Sequence, residues 1–334
     1  MDIRPLLAAA LAASLCLAAP ASAAEHRLTE VVPLGGPPRW DYLKVDPQAR
    51  RLYVAHGSEV TVLGLDERKI VGRVPGLAGA HGVALAPDRD LGFVANGDRN
   101  TLTTFSLSTL TAVAETPVGA DPDSVTYDPV TNRVFVFNGE SRDATVVDAT
   151  SRKPLKTLPL GGTPEFAVAD GKGSIFVNIE EGHEVVRLDT RKMAVAARLP
   201  IEGCEAPHAL AIDVAKGRLF SACANAVLAV LDAATGKQLG SVKIGRDADA
   251  IAFDEARGEI LVSNGEGFVS VIGPKGDGYE VKSEVQTRQT ARTLAVDPKT
   301  GAFFTPAVEF DIDWSNRTAV FVPEGLKLYI FDRR

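Results

Sequence analysis

The feature that most restricts this chain is a seven-fold internal repeat. Short apolar segments followed by a turn begin at Leu43, Val83, Val125, Phe166, Leu210, Ile251 and Leu294, so successive copies lie 40, 42, 41, 44, 41 and 43 residues apart. A unit of this length cannot bury its own faces and must stack on its neighbours. The copies share one grammar, seen in Val125-Thr126-Tyr127, an Asp-Pro turn, Val134-Phe135-Val136-Phe137, a third strand ending Val147-Asp148, and a fourth from Leu155 to Leu160. These strands are β-branched and aromatic with little polar alternation, which suits sheets covered on both sides. Pro117, Pro159 and Pro200 all fall in the fourth strand, the edge position where a proline costs no ladder bond. The Asn-Gly pairs at 96–97, 138–139 and 264–265 read as tight hairpins with positive φ. The expected fold is all-β: a seven-bladed β-propeller with four antiparallel strands per blade.

The last copy is one strand short. Residues 26–34 end Val32-Pro33-Leu34-Gly35-Gly36, echoing the fourth strand Leu158-Pro159-Leu160-Gly161-Gly162. They are therefore expected to pair beside residues 327–333 and close the ring, removing an exposed edge. This gives one domain over 25–334, with blades near 38–77, 78–119, 120–162, 163–205, 206–245, 246–287 and 288–334, the last completed by 26–34. Residues 309–325 form an insert between the second and third strands of the last blade.

Ahead of the repeat, Arg4, the apolar run Leu6 to Ala19 and Pro20-Ala21-Ser22-Ala23 read as a secretory signal peptide over residues 1–24. Cys16 is not expected to be lipidated, because Leu15 stands where a small residue is needed. No later stretch is long and apolar enough to span a membrane. The expected product is a periplasmic monomer. Its net charge of −7, from 36 basic and 43 acidic residues, disfavours nonspecific nucleic-acid binding. Cys204 and Cys223 remain, and an even count in an oxidising compartment points to a disulfide. Two free thiols, or a Cys204–His208–Cys223 metal set lacking a fourth ligand, are the other readings.

Arg51-Leu52-Tyr53-Val54-Ala55, with weaker echoes at Gly92 to Gly97 and Arg133 to Gly139, resembles the YVTN repeat of the YncE-like family of secreted propellers. The third- and fourth-strand pattern from Ala144 to Gly162 matches as well, and the resemblance covers residues 26 to 308. It implies the fold. It implies no single chemistry, because similar proteins range over lactonases, nucleic-acid binders and surface proteins.

Chemistry is expected on the face carrying the inter-blade connectors, whose sequences vary, while the opposite face repeats plain Asp-Pro and Gly turns. Two residues before each first-strand anchor stand Asp41, His81, Asp123, Pro164, His208, Asp249 and Arg292, with Glu165 one later. These side chains are expected to ring the channel mouth, and all but Pro164, with Trp40, to form the ligand-binding set. Polar residues there also cap backbone and hold water, so the ring alone does not establish a site. Trp40 and Trp314 read as wedges or stacking platforms, and His56 and His183 as solvated turn residues. No metal is expected: His81 and His208 lie three blades apart, and no H-x-H, H-x-x-x-H or calcium-loop spacing occurs. No cofactor motif, nucleophile elbow or P-loop is present.

The leading expectation is a binding or interaction protein that offers this face to a small ligand or a periplasmic protein. A hydrolase or lyase of a lactone-like compound is the alternative, with His81 or His208 as base, Arg292 stabilising an oxyanion and Glu165 or Asp249 orienting. Single-stranded nucleic-acid binding would need a Lys/Arg cluster beside Trp40, Tyr42, Arg39 and Arg99, and none is seen.

Overall fold

The computed structural model describes residues 25–36 and 38–334. The expected signal peptide, its cleavage site and Cys16 lie outside the described residues. The chain forms seven four-stranded antiparallel sheets. Six are consecutive in sequence, and the seventh runs Ala295–Val296, Phe303–Asp313, Thr318–Arg333 and then His26–Pro33 from inside to outside. Neighbouring first strands touch one another all the way round, including blade one with blade seven, so the sheets make a closed ring.

The reason for two-sided burial is visible in the core. Apolar side chains divide into seven clusters, each straddling two adjacent blades. In the second strand of blade three, Val134 and Val136 pack toward blade two, while Phe135 and Phe137 pack toward blade four. Side-chain alternation therefore sends successive residues into two different layers, and both layers are apolar. The fourth strand, as in Pro154–Pro159, is mostly exposed.

Closure follows the expected register, with His26 opposite Arg333 and Pro33 opposite Lys327. Leu34 is 1% exposed and joins Leu52, Val54, Leu328 and Ile330 in the layer between blades seven and one. Arg50 of blade one also reaches Asp297 of blade seven through two parallel hydrogen bonds of 2.7 and 2.8 Å. The 309–325 insert is not a loose loop. It prolongs the second and third strands into a hairpin arm, pairing Phe310 to Asp313 with Thr318 to Phe321. Ile312, Trp314, Val320 and Phe321 are exposed along it. Among the described residues no helix is long and apolar enough to cross a membrane.

Two local expectations need correction. The Asn-Gly pairs are not positive-φ turns: none of Asn96, Gly97, Asn138, Gly139, Asn264 or Gly265 has positive φ. The asparagines end second strands, fully buried, and their amides donate to hydroxyls such as Thr103 (2.8 Å), Thr145 (3.0 Å) and Ser270 (3.1 Å). The glycines make room, since a Cβ on Gly97 would lie 2.7 Å from the His81 Nε2. His56 is likewise no solvated turn residue. It occupies the same strand end, is 0% exposed, and its Nε2 lies 2.7 Å from Thr61 Oγ1. Prolines also open first strands, at Pro122, Pro164 and Pro207, where each begins an irregular stretch.

Candidate functional site at the channel mouth

Each first strand reaches the connector face through a break in register. In blade two, His81 and Gly82 lie between Ala80 and Val83, whose partners Asn96 and Val94 are separated by one residue. Blade three repeats this with Asp123 and Ser124 between Pro122 and Val125, and blade four with Glu165 and Phe166 between Pro164 and Ala167. In blades five and six the extra residues are His208, between the partners of Cys223 and Ala222, and Asp249, between those of Asn264 and Ser263. Blade one achieves the same with backbone bonds. The Asp41 N–H donates to the Ala55 carbonyl at 3.0 Å, and the Ala55 N–H donates to the Tyr42 carbonyl at 3.1 Å. An inserted residue bends its strand and re-aims the side chain it carries. Here five adjacent bulges each carry a titratable side chain, and those of blades three to six line the same place.

That place is a cup of about 500 Å³ lined by Trp40, Asp41, Asp123, Glu165, His208, Asp249, Arg292 and, from the hairpin arm, Phe321. His81 stands behind it, bonded to Asp41. The cup has a floor. Tyr42 of blade one meets Phe166 of blade four edge-on, with ring centroids 5.0 Å apart. These blades are not neighbours, so the pair spans the channel. Below it lies a second cavity of about 510 Å³, lined mainly by apolar first-strand side chains such as Val83, Val125, Leu210 and Ile251.

Two clusters organise the charges. In the first, His81 Nδ1 bonds Asp41 Oδ2 and lies 3.3 Å from Asp123 Oδ1, while Tyr42 donates to Asp123 Oδ2 at 3.4 Å. Burial works to lower the His81 pKa, but the Asp41 hydrogen bond and the charges of Asp41 and Asp123 outweigh it and raise it to about 9. Arg39, anchored on Asp98 at 3.0 Å, comes within 3.4 Å of His81 Nε2 and opposes that rise. Burial raises Asp123 well above the usual carboxylate range, helped by Asp41, Glu165 and Asp121 and opposed by His81.

In the second cluster, His208 Nδ1 lies 3.3 Å from Glu165 Oε2, and this interaction raises the His208 pKa against the effect of burial. Asp249 is raised by burial, with Arg292 opposing at 2.9 Å. Tyr42 is raised well above its ordinary value by burial and by the surrounding carboxylates. Five carboxylates, Asp41, Asp121, Asp123, Glu165 and Asp249, thus face the guanidiniums of Arg39 and Arg292 and the His208 imidazole across the cup, with His81 behind. Crowded, desolvated carboxylates are stabilised by positive charge.

The disulfide between Cys204 and Cys223 is present. It ties the connector before blade five to the end of that blade's second strand, where Cys223 pairs with Pro207, and so fixes the segment that carries His208. Trp40 is partly buried against the layer between blades seven and one, and still touches the cup. His183 is exposed in a turn, at φ 48°, and Trp314 is 80% exposed on the arm; neither lines the cup. Tyr42, Arg39, Asp121, Phe166 and Phe321 join the site although the ring pattern did not select them. Tyr42 and Phe166 were detectable as the aromatic neighbours of Asp41 and Glu165, whereas Phe321 arrives from 27 residues beyond the last anchor and carries no such signal.

No family model matches this chain, and no curated protein matches it. Among solved structures, 1816 chains match, so the fold by itself selects no chemistry. One of them, described as Kuenenia stuttgartiensis hydrazine synthase, is 12% identical at a TM-score of 0.70, with 90% of this chain and 97% of that chain covered. Such a likeness shows the fold alone. The class is therefore a seven-bladed β-propeller, closed by its own N-terminal strand, with a floored acidic cup at the connector end of its channel.

Proposed function

We propose that the protein is a periplasmic binding protein whose cup receives a small polar ligand bearing positive charge. One observation carries this reading. Five consecutive first strands break register at the same level, and the bulged side chains are His81, Asp123, Glu165, His208 and Asp249. A purely structural repeat has no need for a chargeable residue at each break, whereas a ring of preorganised groups lowers the ordering cost of binding. Five carboxylates against two guanidiniums in the wall favour a cation, and the Tyr42–Phe166 floor sets its length. The hydrolase reading is weaker because Arg292 pairs with Asp249 and would have to leave it to meet an oxyanion. The acid excess equally disfavours nucleic acid.

The reading is tested by thermal shift and calorimetry with diamines, basic amino acids and quaternary amines in the presence of a chelator. Wild type should be stabilised by at least one of them, and Asp249→Asn should lose the shift. A full panel without effect, or stabilisation that survives both Asp249→Asn and Glu165→Gln, contradicts it.

A further inference from the structure

We infer that the blade one-to-three side of the cup is a binding site for a divalent first-row transition-metal ion, held by Asp41, His81 and Asp123. The inference deepens the binding reading above and rests on its assignment of the cup as the site. The three side chains come from consecutive blades, and one ligand atom of each lies within 4.8 Å of the others. An ion with nitrogen and oxygen ligands at about 2.1 Å holds neighbouring ligand atoms about 3.0–3.4 Å apart. The 3.3 Å between His81 Nδ1 and Asp123 Oδ1 falls in that range, although this contact joins no sequence neighbours and follows no local spacing motif. Asp41 Oδ2 stands closer, in direct hydrogen bond to His81 Nδ1, and would move outward to make room for an ion. The absence of H-x-H or H-x-x-x-H spacing therefore says nothing here, because a propeller gathers its ligands one per blade.

The cluster is also held in place from outside. The Tyr42 hydroxyl, on a residue 8% exposed, donates to the far oxygen of Asp123 and leaves Oδ1 toward His81. The His81 ring lies against Gly97, where a Cβ would stand 2.9 Å from its Cδ2. Partners that orient ligands in this way are a regular feature of metal sites. One imidazole and two carboxylates suit Zn²⁺, Co²⁺ or Mn²⁺ better than thiophilic ions. Binding would displace the proton that His81 Nδ1 shares with Asp41. Nε2 would carry the remaining proton, so the nearby Arg39 guanidinium works against the ion. Because Asp41 and Asp123 line the cup, the ion and a cationic ligand would draw on the same carboxylates and compete.

The test is calorimetry and metal analysis of the full mature chain with Zn²⁺, and visible absorption with Co²⁺. Wild type should take up one equivalent. Asp123→Asn and His81→Gln should weaken binding about 100-fold and Tyr42→Phe about ten-fold. Arg39→Ala should tighten binding, and His183→Gln, in the exposed turn, should leave it unchanged. Circular dichroism melts of each variant separate lost ligands from lost folding. Substoichiometric uptake by wild type, or uptake unaffected by Asp123→Asn, overturns the metal assignment. Amine ligands retained by chelator-treated protein would then leave the binding reading standing, whereas loss of both would remove each.

Discussion

Tyr42 and Phe166 come from blades one and four and meet edge-on across the channel, 5.0 Å between ring centroids. Their contact turns an open pore into a cup with a polar wall and an aromatic floor. An edge-to-face pair of this kind contributes about 1 kcal/mol beyond its area. Phe166→Ala should therefore leave the ring folded but join the two cavities, and ligands stabilising wild type should bind about ten-fold more weakly. Calorimetry with the best ligand from the amine panel reads this. Undiminished affinity would show that the floor is not part of the site.

The Arg50–Asp297 fork ties blade one to blade seven, and its Asp297 side chain is only 2% exposed. Removing one partner of a buried pair strands the other charge and costs about 3–5 kcal/mol. Arg50→Ala should lower the melting temperature accordingly. The pH dependence has a definite sign. Burial alone would raise the Asp297 pKa, but hydrogen bonds from Arg50, Thr300 and the Lys299 N–H outweigh it and hold it below the usual carboxylate range. A depressed carboxylate contributes stability above its unfolded pKa of about 3.9 and loses it as pH falls through the folded value. Wild type should therefore lose stability to acid more steeply than Asp297→Asn below about pH 4. Parallel curves from urea melts would contradict the assignment.

Gly97 offers a sharper probe of the His81 cluster than any change to the cluster itself. Its φ is not positive, so its backbone accepts alanine, yet the added Cβ would sit 2.7 Å from His81 Nε2. Gly97→Ala should displace the imidazole from Asp41 and Asp123 and abolish binding at that side of the cup. The melting temperature should stay within about 2 °C of wild type. Intact binding in this variant would mean that the His81 position is immaterial.

The Cys204–Cys223 bridge spans 19 residues, and closing a loop of that length stabilises by about 3 kcal/mol. Cys204→Ala with Cys223→Ala should lower stability by that order and also weaken ligand binding, because the freed connector carries His208. Denaturant melts and calorimetry on the same double variant separate the two effects. Weakened folding with unchanged affinity would make the bridge purely structural.

The architecture was legible because two-sided burial writes itself into sequence as repeated apolar runs. Leu52, Val54 and their neighbours Tyr53 and Ala55 serve two layers, and a strand covered on both faces needs all four to be apolar. The N-terminal strand was legible from a single echo, Val32-Pro33-Leu34-Gly35-Gly36. The site was half legible. Counting back from each anchor finds the side chains of the mouth, but one-residue bulges are invisible to periodicity, so their convergence was not. Asn96, Asn138 and Asn264 misled because Asn-Gly serves both turn geometry and, here, a buried amide beside a Cβ-free gap. His56 misled for the same reason, since a polar residue before glycine at a strand end looks solvated until its neighbouring blade is in place.

The most direct measurement is a high-resolution crystal structure of the protein isolated from its native cells, or soaked in their extract, without chelator. Density bonded to at least two of Asp123, Glu165, His208 and Asp249 above the Tyr42–Phe166 floor is the predicted result. A cup holding only water, with a ligand or partner bound on the opposite turn face, would contradict it.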